Sequence, residues 1–245
     1  MSRGGQVDIA VNLERVEQRI AEACARAGRA RGEVTLVAVT KTRSPGEIVQ
    51  AYRCGLRHFG ENRVEEAEVK LPALAGAFDA GPVTWHMIGH VQSRKARRAV
   101  EVADIIHSVD SLRLANRLDR FAAEMGKRMP ILLELNVSGE ESKEGFAAWD
   151  EETTAAFGEQ VPALMACEHL ELRGLMTMAP IVPQAELARP VFQALRRIRD
   201  LLRERYPALA WAELSMGMTD DFEVAIEEGA TMVRIGRAIF GPRES

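Results

Sequence analysis

One lysine and two glycine-bearing stretches carry the residue types and spacings that chemistry needs. In "LVAVTKT" four apolar residues, Leu36 to Val39, run straight into Thr40 and Lys41. An ammonium at the end of a buried strand is costly to desolvate, so its pKa falls. A neutral lysine amine is a nucleophile toward aldehydes. Taken alone, Lys41 reads as a surface charge at a strand exit. "SMGMTDD" offers a hydroxyl at Ser215, a glycine at 217 and a helix starting near Thr219. "RIGRAIFG" offers Gly236, where backbone can approach an anion, followed by a short helical turn. Helix N-termini supply N–H groups that bind anions. Either glycine alone signals only a tight turn; the two loops together suggest a phosphate cup.

These groups need elements to position them. Ile9, Leu13, Val16, Ile20, Ala23 and Ala27 lie on one face of an N-terminal helix over about 7–28. Strand-like segments follow at "VTLVAV", "RHFG", "VTWHMIG", "DIIHSV", "PILLELNV", "ELRGLMTM", "AWAELSM" and "TMVRIG", with helical stretches between them. "SPGE" is a capping box with Ser44 as cap, Pro45 first in the helix and Glu47 third. A helical region between Asp150 and Ala166 contains Pro162 as a point of interruption. Eight short apolar strands alternating with helices predict a (β/α)8 barrel over about 34–241. A doubly wound open sheet is the alternative, but no glycine-rich dinucleotide turn follows the first strand. No linker divides the chain, so residues 1–245 read as one domain.

Bulk properties exclude several classes. The chain has 245 residues and is 47% hydrophobic, enough for one large core. A net charge of -4 gives no electrostatic case for binding nucleic acid. Apolar runs are strand-sized, so no membrane span is expected. The N-terminal stretch lacks the apolar core of a signal peptide, which points to the cytoplasm. Cys24, Cys54 and Cys167 form neither a disulfide framework nor a zinc pattern.

In a barrel the active site lies at the C-terminal strand ends, and phosphates often bind at the loops after strands seven and eight. Lys41 would then face the cup, and the two would hold a phosphorylated aldehyde by both ends. Pyridoxal 5'-phosphate (PLP) is the obvious candidate, since its Schiff base with lysine is the usual resting form. A phosphosugar aldehyde also fits.

"VAVTKT", "HFGENRVEEAEVK", "WHMIGHVQSRK", "IHSVDS", "NVSGEESKEG", "GLMTM" and "ELSMGMTDDFEVAIEEGATMVRIGRAIFG" resemble, in order and spacing, the pyridoxal phosphate homeostasis proteins. The resemblance runs from about residue 7 to 241. It implies a single-domain barrel like the N-terminal domain of alanine racemase, with PLP on Lys41. It implies that Ser215, Gly217 and Gly236, with the N–H of Arg237, hold the phosphate. Asn62 would line the ring pocket and Arg234 would face the pyridine nitrogen. Expected partners are PLP itself and apoenzymes that require it, with no nucleic acid, no membrane and a monomeric state. Arg63, Arg94 and Thr40 stand where Tyr, Asn and Ser are common in the family, so rim contacts are the part in question.

A PLP carrier and a PLP-dependent amino-acid racemase remain to be separated. A racemase of this barrel type uses a second base opposite the lysine, usually a tyrosine from an extra β domain. The chain ends about ten residues after its last strand, and its tyrosines, Tyr52 and Tyr206, lie in or at helices. Arginine cannot accept a hydrogen bond, so Arg234 favours an unprotonated ring nitrogen and a weaker electron sink. A racemase tolerates such an arginine, so the missing base is the stronger argument, and the carrier is the favoured reading. A phosphosugar isomerase or aldolase would need a carboxylate base such as Asp110 or Glu134, although Asp110 more simply caps the following helix.

Other features have plainer explanations. His86 and His90 lie on a strand and its exit rather than on one helical face, so no metal site is expected. His107 reads as a satisfied barrel residue, and Arg94 to Arg98 as a solvated helix face. Met176, Met178, Met216 and Met218 cluster near two strand ends; packing is the default, with Met176 kept as a candidate contact for the ring.

Overall fold

The computed structural model describes residues 7–242; the outer ends of the expected span 1–245 lie outside the described residues. Helix α1 (Ile9–Arg26) buries Ile9, Leu13, Val16, Ile20 and Ala23, the stripe that the spacing predicts. Then come β1 (Thr35–Val39), α2 (Pro45–Arg53), β2 (His58–Glu61) and α3 (Val64–Ala73). Strand β3 (Thr84–Met87) leads through a 3-10 turn at Ser93–Lys95 into α4 (Ala96–Val102). Strand β4 (Ile105–Val109) precedes α5 (Leu112–Glu124). Strand β5 (Met129–Asn136) is followed by a two-residue strand, β6 (Phe146–Ala147), then α6 (Glu151–Gly158) and α7 (Val161–Met165). Strand β7 (Leu170–Met176) and α8 (Arg189–Arg205) come next. The last units are β8 (Glu213–Met218), α9 (Phe222–Glu227), β9 (Met232–Ile235) and α10 (Arg237–Phe240).

Among the described residues every strand pairing is parallel, and β1–β9 and β4–β5 pairings close the ring. Eight strands make the barrel, as expected. The short β6 is an addition that pairs with the end of β5 outside the ring. It directly follows "NVSGEESKEG" and is too brief to leave an alternating pattern.

Successive side chains of a strand point to opposite faces. The outward set, including Leu36, Ala38, Phe59, Met87, Ile106, Leu133, Leu175, Leu214 and Val233, joins the helices in one large core. That shell is what makes the strands read as apolar runs. A separate small cluster, Ile105, Leu132, Met176 and Met232, lies apart from it. Strands approach one another closely where β7 meets β8: a Cβ on Gly174 would stand 1.9 Å from the Glu213 carbonyl oxygen. The Ser44 box forms as expected, with Glu47 Oε2 accepting from Ser44 N at 2.8 Å. Among the described residues no helix is long and apolar enough to cross a membrane.

Candidate active site at the strand exits

Sheet register gathers the first group of candidates. Val39 pairs with Gly60, and Lys41 and Asn62 each follow two residues later, just past the ends of the adjacent strands β1 and β2. Ala38 pairs with Ile235, which puts Val39 beside Gly236, and a Cβ on Gly236 would stand 3.4 Å from Val39 Cβ. Lys41, Asn62 and Gly236 therefore share one rim of the barrel, at the C-terminal strand ends. Lys41 is half-buried in a turn, and the next residue, Thr42, has φ +63°. A non-glycine residue there needs support from its surroundings.

That support is a buried ionic cluster that sequence reasoning missed. Lys70, on α3, donates to the Thr40 carbonyl at 2.8 Å, to Glu61 Oε1 at 2.7 Å and to Glu66 Oε1 at 2.7 Å. Thr40 Oγ1 donates to Glu61 Oε1 at 2.6 Å, and Thr42 N donates to Glu66 Oε1 at 2.5 Å. The residues on both sides of Lys41 are thus tied to one ammonium and its two carboxylates. Burial raises the Glu61 carboxyl, outweighing the bonds from Lys70 and Thr40. Burial also acts on Glu66, but there the bonds from Lys70 and Thr42 win and the carboxyl is lowered. The signal available in sequence was the i, i+4 spacing of Glu66 and Lys70; nothing local points to Glu61.

Asn62 is set by a close backbone approach. A Cβ on Gly89, just past β3, would stand 2.2 Å from the Asn62 carbonyl oxygen, so only glycine lets the two loops meet. Ser108 Oγ donates to the Gly89 carbonyl at 2.7 Å and holds that loop. The Asn62 Oδ1 atom is buried with no hydrogen-bond partner among the described residues. Buried polar atoms in native proteins are nearly always paired, so a bound group that supplies a donor fits here.

Arg234 lies inside the barrel and is 4% exposed. Its Nη1 donates to the Ser215 carbonyl at 2.8 Å and to Ser215 Oγ at 2.6 Å; its Nη2 donates to the Thr177 carbonyl at 2.9 Å. Burial lowers its pKa to about 10. The hydroxyl expected to meet a phosphate therefore sits lower, fully buried, against Arg234 and His107 Nδ1. Thr177, which also donates to the Leu135 carbonyl at 2.8 Å, is a second residue that sequence reasoning passed over. Met176 is fully buried in the small apolar cluster. Glu134 is 4% exposed; burial raises its carboxyl to about 7 although the Arg234 charge pulls the other way.

The two glycine loops differ in detail from expectation. Gly217 has φ +92°, and a Cβ there would stand 2.6 Å from Ala225 Cβ, so glycine lets α9 pack on β8. The helix begins at Phe222 rather than near Thr219, because Asp221 Oδ1 accepts from Met218 N at 2.6 Å and closes a turn first. Gly236 precedes α10, and the Arg237 side chain reaches out to Asp220. After β4 the cap is Ser111, whose Oγ accepts from Leu114 N, and not Asp110. Asp110 instead stands 3.0 Å from His90.

Neither tyrosine reaches this rim. Tyr52 donates to the carbonyl of Gly81, in the loop entering β3, and Tyr206 to the carbonyl of Gly158, at the end of α6. Both positions belong to the N-terminal end of the strands. Arg97 and Arg98 pair with Glu124 and Glu68 on the exposed helix faces.

A closed parallel barrel with these strand exits is of the alanine racemase N-terminal domain class: the family model "Alanine racemase, N-terminal domain" matches residues 11–244. Alanine racemase of Clostridium difficile 630 shares the fold at 13% identity and a TM-score of 0.69, over 97% of this chain and 57% of that one. Within that class the chain belongs to the pyridoxal phosphate homeostasis protein family. It is 42% identical to the Pseudomonas aeruginosa member over 96% of each chain, and 39% identical to the Aquifex aeolicus member over 95% of this chain and 97% of that one. PipY of Synechococcus elongatus PCC7942, solved with and without PLP, is 37% identical over 96% of this chain and 100% of its own. Its TM-scores are 0.81 with PLP and 0.83 without.

Two outcomes follow from the buried charges. Lys70→Met should lower unfolding free energy by about 3–5 kcal/mol in chemical denaturation, because it strands the Glu61 carboxylate in the interior. Glu134 binds its proton more tightly when folded, so its contribution is full below about pH 4.5 and is lost as pH rises through about 7. Glu134→Gln should flatten the fall in stability over that window by on the order of 2–3 kcal/mol, read from denaturation curves at several pH values.

Proposed function

We propose that this protein binds pyridoxal 5'-phosphate, holds it as a Schiff base on Lys41, and serves intracellular PLP homeostasis as a carrier without robust catalysis. The observation that carries the reading is the shared rim: a half-buried lysine just past β1 and, just past the adjacent β2, Asn62, whose buried Oδ1 has no partner among the described residues. PLP supplies an aldehyde for a lysine amine and a ring hydroxyl that can pair with an amide. The family of the chain and the PLP-bound relative support the same ligand.

The chain's own residues then divide the work. Lys70, Glu61 and Glu66 keep the turn that presents Lys41. Arg234 directs donors toward the ring nitrogen and, having no acceptor, favours that nitrogen without a proton. Gly217 and Gly236, with the Arg237 N–H, let backbone approach the phosphate. Ser215 acts through Arg234, since its hydroxyl neighbours are Arg234 and His107. Met176 packs beneath the pocket. A single domain over 1–245, a monomeric state, a cytoplasmic location and PLP-requiring apoenzymes as recipients belong to the same proposal. The engagement of Tyr52 and Tyr206 at the far end of the barrel favours a carrier over a racemase. A racemase of the alanine racemase type is the second reading, favoured by Glu134, a buried carboxyl whose pKa burial raises to about 7.

The test is an absorbance spectrum of the protein with PLP, followed by borohydride reduction and peptide mass mapping. Wild type should show an imine band and an adduct on Lys41, and Lys41→Ala should show neither. Wild type without band or adduct would end the PLP reading. Sustained amino-acid racemisation by the loaded protein, abolished in Glu134→Gln, would replace the carrier with the enzyme.

A further inference from the structure

A chain of three histidines crosses the barrel interior and ends on Arg234. His58, on β2, has Nδ1 3.0 Å from His86 Nε2, on β3. His86 Nδ1 lies 2.8 Å from His107 Nε2, on β4. His107 Nδ1 lies 2.9 Å from Ser215 Oγ on β8, a strand that does not neighbour β4 in the sheet. Arg234, on β9, completes the path at 2.6 Å from the same hydroxyl. His86 is 3% exposed, while His107 and Ser215 are fully buried; His58 is half-buried at the entry of its strand.

The last link sets the proton order of all the others. Arginine only donates, so Ser215 Oγ accepts from Arg234. The hydroxyl has one proton left, and its other partner is His107 Nδ1. If His107 donated instead, that proton would be a buried donor with no acceptor, which native interiors avoid. His107 Nδ1 is therefore bare, and its Nε2–H donates to His86 Nδ1. His86 Nδ1 is then bare, and its Nε2–H donates to His58 Nδ1. Each ring fixes the tautomer of the next, as the second nitrogen of an imidazole does wherever the first is engaged. Burial keeps the inner rings neutral, with His86 lowered to about 3 and His107 also lowered.

We propose that this proton-ordered chain makes His107 a positioning residue for the cofactor. It points the Ser215 lone pair at Arg234 and so holds the guanidinium in the one orientation that faces the ring nitrogen. The proposal rests on the PLP reading for its purpose, but the proton order does not.

Two measurements on the full chain test the two parts separately. The first is a long-range proton–nitrogen correlation spectrum of 15N-labelled protein without PLP. His86 and His107 should both be Nε2–H tautomers with bare Nδ1, unchanged between about pH 5 and about pH 8. A proton on His107 Nδ1 would overturn the proposal. The second compares His107→Leu, which has no acceptor, with His107→Asn, whose amide oxygen can stand near the Nδ1 position. His107→Leu should shift the imine band and release PLP roughly tenfold faster. His107→Asn should keep the wild-type band and retention. Loss of thermal stability in His107→Leu with band and retention unmoved would reduce His107 to a packing residue and refute the positioning role. No band in wild type would remove the cofactor reading and the assigned purpose, leaving the spectrum without PLP to decide the proton order alone.

Discussion

A guanidinium buried inside a parallel barrel is the constraint around which the interior is arranged. Charge taken out of water must be met by acceptors or by opposite charge. Arg234 finds the Ser215 and Thr177 carbonyls, the Ser215 hydroxyl, and the field of Glu134. Those acceptors lie on β8 and just past β7, the two strands before its own. Parallel pairing brings Met176 level with Ser215, and with it the end of β7. The side chains that would fill an ordinary barrel with apolar layers are here partly replaced by histidines, a serine and a carboxyl. The apolar inner cluster is correspondingly small, four residues against the broad shell between strands and helices.

The second charged cluster works at the rim and has the opposite design. Lys70 has its three hydrogen bonds on one carbonyl and two carboxylates, and each partner borders the Lys41 turn. An i, i+4 pair on a helix surface is worth little by itself. Burial changes this, because removing one member leaves an uncompensated charge in a poor solvent. The cluster thus couples the stability of the barrel to the geometry of the one turn that presents the amine. Backbone strain at Thr42 persists because Glu66 holds its N–H.

Family membership fits the division between the two ends of the molecule. Relatives of this size match over nearly their whole length, whereas the alanine racemase match covers 57% of that chain. The barrel is common to both, and a shared barrel does not by itself carry a shared reaction. What favours the proposed carrier is local: both tyrosines are committed at the strand entries, away from the Lys41 rim.

Much of the molecule was legible in its residues. Alternation of short apolar strands with helices, the 3- and 4-residue steps of α1, and the Ser44–Glu47 box depend on near neighbours, so periodicity and capping chemistry determine them. So does the reading of Lys41 as a strand-exit lysine, since Val39 and Thr40 adjoin it. Helix starts were less legible where side chains compete for the first turn: Asp221 closes a turn before α9, and Ser111 takes the cap expected of Asp110. Only tertiary structure decided that Ser215 faces inward to Arg234 and His107, that Lys70 meets Glu61, and that Gly89 lets the chain press on Asn62. His107 and Ser215 are 108 positions apart and on strands that are not sheet neighbours. Their meeting depends on closure of the ring, which no local pattern encodes, because strand register and barrel closure are set by all eight strands packing at once.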